Sequence, residues 1–202
     1  MRRLLVLVCL LLAGCTTADP GTPTAGEQTG GATTSKSTTK TTTTNTTSTT
    51  TSAAGRPKNI DLSAVDVCHV VTGLPRTDLG LDTDRPPLAE SSGLFPGSKE
   101  CFNNGTAANL ALTVVAVLNQ GATQYLDGAD ADVDRKDADG FPLYVLTNGA
   151  SPDSCFGVLD VDDGQMLFIN YGLASPGSQP VTPQNTLCQR VQDIARSALA
   201  LL

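Results

Sequence analysis

The sequence predicts an α+β domain, an antiparallel β-sheet packed against N-terminal and C-terminal helices and held by two disulfides, behind a long polar leader. Three observations carry this expectation. The closing segment spaces its apolar residues as a helix does, several internal runs read as strands with a turn signal between the last two, and widely spaced cysteines remain after an export signal.

Arg2 and Arg3 precede an apolar run from Leu4 to Leu12, and small residues lead into Cys15, the layout of a secretory signal over residues 1–14. The run is about nine residues long, whereas a helix needs roughly 20 to span a bilayer. It is therefore no permanent anchor by itself. Leu12-Ala13-Gly14-Cys15 resembles the lipobox of bacterial lipoproteins. That likeness implies cleavage before Cys15, a diacylglyceryl group on its thiol, and a membrane partner reached through the lipid. Each buried CH₂ contributes about 0.8 kcal/mol, so two or three acyl chains hold a protein where one holds it only marginally.

From residue 15 to 58 large apolar side chains are nearly absent, and TTSKSTTKTTTTNTTSTTTS (33–52) is almost wholly hydroxyl-bearing. Such a tract cannot offset the roughly 1–2 kcal/mol of backbone entropy per ordered residue and reads as a linker. Its composition suits a bare spacer or a stalk O-glycosylated on threonine equally. Some 40 residues reach roughly 35 Å as a random coil and about 130 Å fully extended. Either lifts the globular part from the surface.

Residues 59–202 suit one domain. Thirteen basic against twenty acidic residues give a formal charge of −7, made more negative when Arg2 and Arg3 leave with the signal. With no basic patch and only 4% aromatic residues, nucleic acid is excluded as a partner. Cys9 leaves with the signal and Cys15 takes the lipid, so Cys68, Cys101, Cys155 and Cys188 remain. An even number in an exported domain favours disulfides, and the wide spacing lacks the close pairs typical of zinc. Three pairings exist. We favour Cys68 with Cys101 and Cys155 with Cys188, stapling each terminal helix to a strand; the main competitor joins Cys68 to Cys188 and Cys101 to Cys155.

The elements follow in order. NIDLSAVDVCHVVTG offers Asp61 as N-cap, Leu62, Val65 and Val71 near helical spacing, and Gly73 as a left-handed terminator, so a short helix carries Cys68. LPRTDLGLDTDRPPLAESSG lacks any period and reads as a loop. NLALTVVAVLN is apolar on both alternating faces, as a central strand requires. QGATQYLDGAD could supply a short middle helix. FPLYVLT, CFGVLDV and QMLFINY are further strands, the last two joined through Asp163-Gly164 as a hairpin. In the closing segment Thr182 is a candidate cap and Pro183 suits the first turn. Leu187, Val191, Ile194, Ala198 and Leu201 then repeat at helical spacing.

No catalytic set emerges. DGADADVDRKDADG tempts as a calcium loop, but aligning Asp130, Asp132 and Asp134 puts Arg135 where glycine is needed and Phe141 where the bidentate glutamate belongs. It reads as a solvated acidic loop, with no metal and no cofactor. His69 is the only histidine, lies beside a cysteine expected to be oxidised, and reads as a surface or capping residue. No G-x-S-x-G and no phosphate-binding glycine loop occurs. The chain is expected not to be an enzyme.

DLSAVDVCHVVTGL, GSKECFNN, SCFGVLDVDDGQMLFINYG and CQRVQDIARSAL, behind a lipobox and a threonine-rich tether, resemble the actinobacterial cell-envelope lipoproteins built on one domain of unknown function, the 3558 family. The likeness covers residues 61–202 and is strongest in the Cys-strand-DG-strand-Cys-helix ending. Phe102 stands where the family often has tryptophan after the second cysteine, and this chain has no tryptophan at all. The resemblance implies an extracytoplasmic location at the outer face of the cell membrane and transfers no functional residue beyond Cys15. The expected function is a non-enzymatic binding module for an envelope protein or ligand. The alternative is a small-ligand or lipid carrier with a cleft between helix and sheet lined by Leu112, Phe156 and Phe168; an envelope hydrolase acting through carboxylates is the third reading.

Overall fold

The structure, a computed structural model, describes residues 55–202. The signal 1–14, Cys15 and nearly all of the linker lie outside the described residues. The order of elements is α1 (Val67–Gly73), β1 (Leu88–Ser91), β2 (Lys99–Gly105), β3 (Leu110–Val117), α2 (Ala122–Asp127), β4 (Asp132–Ala138), β5 (Phe141–Thr147), β6 (Ser154–Asp162), β7 (Gln165–Leu173) and α3 (Gln184–Leu199). The strands form one seven-stranded sheet in the order β1-β2-β3-β7-β6-β5-β4, with every neighbouring pair antiparallel.

Alternation along the strands sorts side chains to two faces. Leu112 and Val114 of β3, Ile169 and Tyr171 of β7, and Leu143 of β5 point to one face, where they share a core with Val67, Val70 and Val71 of α1 and with α3. Leu187, Val191, Ile194 and Ala198 of α3 are all 0% exposed. Burying a large apolar side chain contributes about 1.5–3 kcal/mol, so tertiary packing rather than intrinsic propensity holds this helix. Gly157 on β6 lets α3 sit close, because a Cβ there would lie 2.6 Å from Val191 Cγ1.

The opposite face is not bare. Val115, Val117, Leu146, Val158, Met166 and Phe168 form a second core with Ala122 of α2 and Phe95 of the β1–β2 connection. Thus α1 and α3 share one face, whereas α2 crosses the other on its way from β3 to β4.

Further details differ from expectation. The first helix starts at Val67, not after Asp61: Asp66 accepts from Cys68 N and His69 N, while Asp61 caps a separate turn through Ser63 N at 2.9 Å. The preceding chain is tied to the β6–β7 hairpin by Ile60 N donating to Val161 O and Leu62 N donating to the Gln165 side chain, so its extended backbone cannot enter a helix earlier. Gly73 ends α1 in helical geometry; Leu74 is extended (φ −66°, ψ 156°), as a residue before proline prefers. At the other terminus Pro183 itself is the N-cap of α3, with no side-chain cap, and Leu201 lies past the helix, 38% exposed.

Two segments read as loops contain edge strands. LAES forms β1, with all its residues exposed, and the acidic stretch forms β4, exposed over most of its length. Neither has a buried face of its own to produce a period, and each is ordered by pairing with β2 or β5. The β4–β5 turn is Asp139-Gly140, both with positive φ (51° and 88°), as a tight primed turn requires. The β6–β7 hairpin turns at Asp163-Gly164 with an irregularity between Asp160 and Asp162.

Candidate functional site

The four domain cysteines form two staples. Cys68 of α1 is bonded to Cys101 of β2, and Cys155 of β6 to Cys188 of α3, both with Cα atoms 5.1 Å apart. Cys101 and Cys155 are fully buried. All four are therefore structural. Among the described residues no group of three or more His, Cys, Asp or Glu side chains is placed to hold a metal ion, and none of the helices is long and apolar enough to cross a membrane. His69 sits exposed on α1.

The buried ionic group of the domain is Arg56, just inside the described residues. Its guanidinium pairs with Asp160 and Asp163, and its side chain is 1% exposed against 5% for Asp160 and 70% for Asp163. Asn59 accepts two further hydrogen bonds from it. Burial opposes the guanidinium charge, but the two carboxylates outweigh it and raise its pKa. Burial likewise raises the Asp160 pKa, with the pull of Arg56 in the opposite direction. This clasp fixes the start of the domain to the β6–β7 hairpin. It engages Asp160, the carboxylate buried among the described residues, in structure.

Tyr171, 1% exposed, donates its hydroxyl to Leu79 O at 2.5 Å and so ties β7 to the loop after α1. Burial pushes its pKa up to about 12 from the ordinary value of about 10. The neutral phenol is thus favoured by folding. Stability from this group is complete below the unfolded pKa and is lost as pH rises from about 10 to about 12, where the unfolded chain has released its proton and the folded chain retains it. Denaturant melts in this alkaline window are expected to show a decline of up to about 3 kcal/mol, and Tyr171→Phe to flatten it. An equally steep decline in the variant would assign the effect to other groups.

The cleft expected to be lined by Leu112, Phe156 and Phe168 does not exist as one site. Leu112 lies under the helices, whereas Phe156 and Phe168 belong to the opposite face. The register shows why: Leu112 pairs with Tyr171, while Phe156 pairs with Asn170, the next residue along β7 and therefore on the other side. Leu112 itself is 0% exposed, packed in the core under α1 and α3.

On that other face Phe156 and Phe168 floor a groove of about 510 Å³ beside α2, with Leu94, Phe95 and Tyr125 among its walls and Gln124 and Ser151 among its polar lining. The rings touch in edge and tilted geometry, with centroids 5.1 Å apart for Phe95 and Phe168, 5.7 Å for Tyr125 and Phe168, and 6.0 Å for Phe156 and Phe168. Burial raises the pKa of the Tyr125 phenol, which stays neutral there. A second groove, of about 590 Å³, lies between the entry to α1 and the β1–β2 edge, bordered by Asp66, Glu90, Lys99 and Glu100. Charged side chains thus border this groove, whereas Asp130 is the one charged residue lining the aromatic groove. The aromatic groove is the better candidate, since apolar walls with a few polar groups are what retain a small ligand. Phe95 and Tyr125 carry no sequence motif that marks them; the one local signal is the apolar pair Leu94-Phe95 between Gly93 and Gly97.

Fold and site together define a disulfide-stapled α+β domain with an aromatic surface groove. The model of a family of proteins of unknown function, DUF3558, matches residues 10–201. The chain belongs to that family. No curated protein and no solved structure matches it.

Proposed function

We propose that the protein is a membrane-anchored extracytoplasmic lipoprotein of an actinobacterial cell envelope, and that its domain is a non-enzymatic binding module carried on a threonine-rich tether. The observation that carries this reading is Leu12-Ala13-Gly14-Cys15 at the end of a short apolar run, followed directly by a tract unable to fold. The domain's chemistry agrees with a binding role. Its one histidine is exposed on α1 and its buried carboxylate is tied to Arg56. The second reading, a small-ligand or lipid carrier, is favoured by the aromatic groove.

The anchor is tested by growing a lipoprotein-processing host that expresses the full chain on radiolabelled palmitate. The wild type is expected to take up label and sediment with membranes, and Cys15→Ala to do neither. A wild-type chain that incorporates no lipid would refute the anchor.

A further inference from the structure

We infer that the groove between α2 and the outer sheet face binds an uncharged single-chain amphiphile, its chain lying along Phe156 and Phe168 and a hydroxyl-bearing head meeting the polar lining. This inference rests on the binding-module reading and gives it a ligand class. Four of the chain's eight aromatic residues (five Phe and three Tyr) meet at this groove, so the apolar wall is concentrated in one place. Its mouth is open, with Leu94 63% exposed, Tyr125 and Phe156 half-buried and only Ala122 of α2 buried, while Phe95 and Phe168 lie packed at its base, 4% and 3% exposed. The volume of about 510 Å³ falls within the range of roughly 300–1,000 Å³ typical of small-molecule sites.

Charge selects the head. The lining includes no Lys, Arg or His and one carboxylate, Asp130, on a chain of formal charge −7. A fatty acid or anionic phospholipid would meet a like charge with no cation to pair with. Gln120, Gln124, Ser151 and the neutral Tyr125 phenol instead offer uncharged donors and acceptors, the complement of a glycerol or other polyol head. Asn148 is already committed, donating to Asp130 O and accepting from Ala150 N. The groove has a fixed floor, because Phe168 is buried in β7 between β3 and β6.

Calorimetric titration of the full chain with monolauroylglycerol below its micellar concentration, and with laurate as the anionic counterpart of equal chain length, tests the inference. Monolauroylglycerol is expected to bind with one-to-one stoichiometry and laurate about tenfold or more weakly. Ala129→Trp, which fills the groove from its wall, and Leu94→Asp, an exposed change at its mouth, are each expected to weaken binding about tenfold, with the thermal midpoint kept. Leu94→Asp supplies a readout should the tryptophan perturb folding. Failure of monolauroylglycerol to bind, or binding that neither variant weakens, overturns the site. Laurate binding equally well through a variant-sensitive groove overturns the ligand class but leaves a binding module. Palmitate labelling at Cys15 is read separately, so loss of the anchor and loss of the ligand are distinguishable.

Discussion

Arg56→Ala is expected to destabilise the domain by about 3–5 kcal/mol, the usual cost of removing one partner of a buried ion pair. The guanidinium and the Asp160 carboxylate are nearly inaccessible, 1% and 5% exposed. Truncating the arginine therefore leaves a carboxylate without solvent or cation, and also frees Asn59 and the exposed Asp163. Asp163 contributes little to the loss, since a carboxylate in water loses only a screened attraction. Removing both buried charges together, as Arg56→Met with Asp160→Leu, is expected to cost far less, because the burial penalty disappears with the pair.

Acidification separates this mechanism from simple loss of packing. Burial already holds the Asp160 pKa above the usual carboxylate range despite Arg56, and removing the guanidinium raises it further. A carboxyl whose folded pKa exceeds its unfolded pKa destabilises the fold while ionised and ceases to do so once protonated. The deficit of Arg56→Ala is thus largest at neutral pH and shrinks as pH falls through the raised folded pKa. Parallel urea melts of wild type and variant across mildly acidic pH measure it. A deficit that stays constant on acidification would mean that the arginine acts through packing of its stem alone.

How much of this could be read from the sequence depended on whether a residue's role is local. The helical spacing of Leu187, Val191, Ile194 and Ala198 is intrinsic to the segment, and these residues are buried in α3; Asp163-Gly164 likewise forms its turn by its own chemistry. The edge strands β1 and β4 were illegible because their order comes from a neighbouring strand rather than from a buried face. Asp61 and Asp66 are chemically equivalent caps. The choice between them is made by tertiary bonds from Ile60 and Leu62 to the β6–β7 hairpin. Alternation along β3 separates Leu112 from Thr113, but only the register across β7 puts Phe156 on the side of Thr113. The groove depended on that non-local fact, and on Phe95 and Tyr125 arriving from a loop and a short helix.

Removing either disulfide as a paired Cys→Ser variant is expected to cost about 3–4 kcal/mol on the chain-entropy account. Both join cysteines 33 residues apart, so that account makes the two losses equal in magnitude. The native states left behind should nevertheless differ. α1 has seven residues, far below the roughly 12–15 at which isolated helices become even marginal, and its bond to Cys101 is the covalent tie that holds it against β2. Without it, amide protons of α1 are expected to exchange much faster at conditions where the sheet stays protected. α3 has sixteen residues and buries Leu187, Val191, Ile194 and Ala198 completely, so loss of Cys155–Cys188 should lower the melting midpoint while leaving its amides as protected as the sheet beneath them. Hydrogen exchange with peptide-level resolution, read beside denaturant melts, distinguishes the two. Equal loosening of α1 and α3 would show that the staples act only on the unfolded chain; retained protection in α1 without its disulfide would show that Val67, Val70 and Val71 dock it unaided.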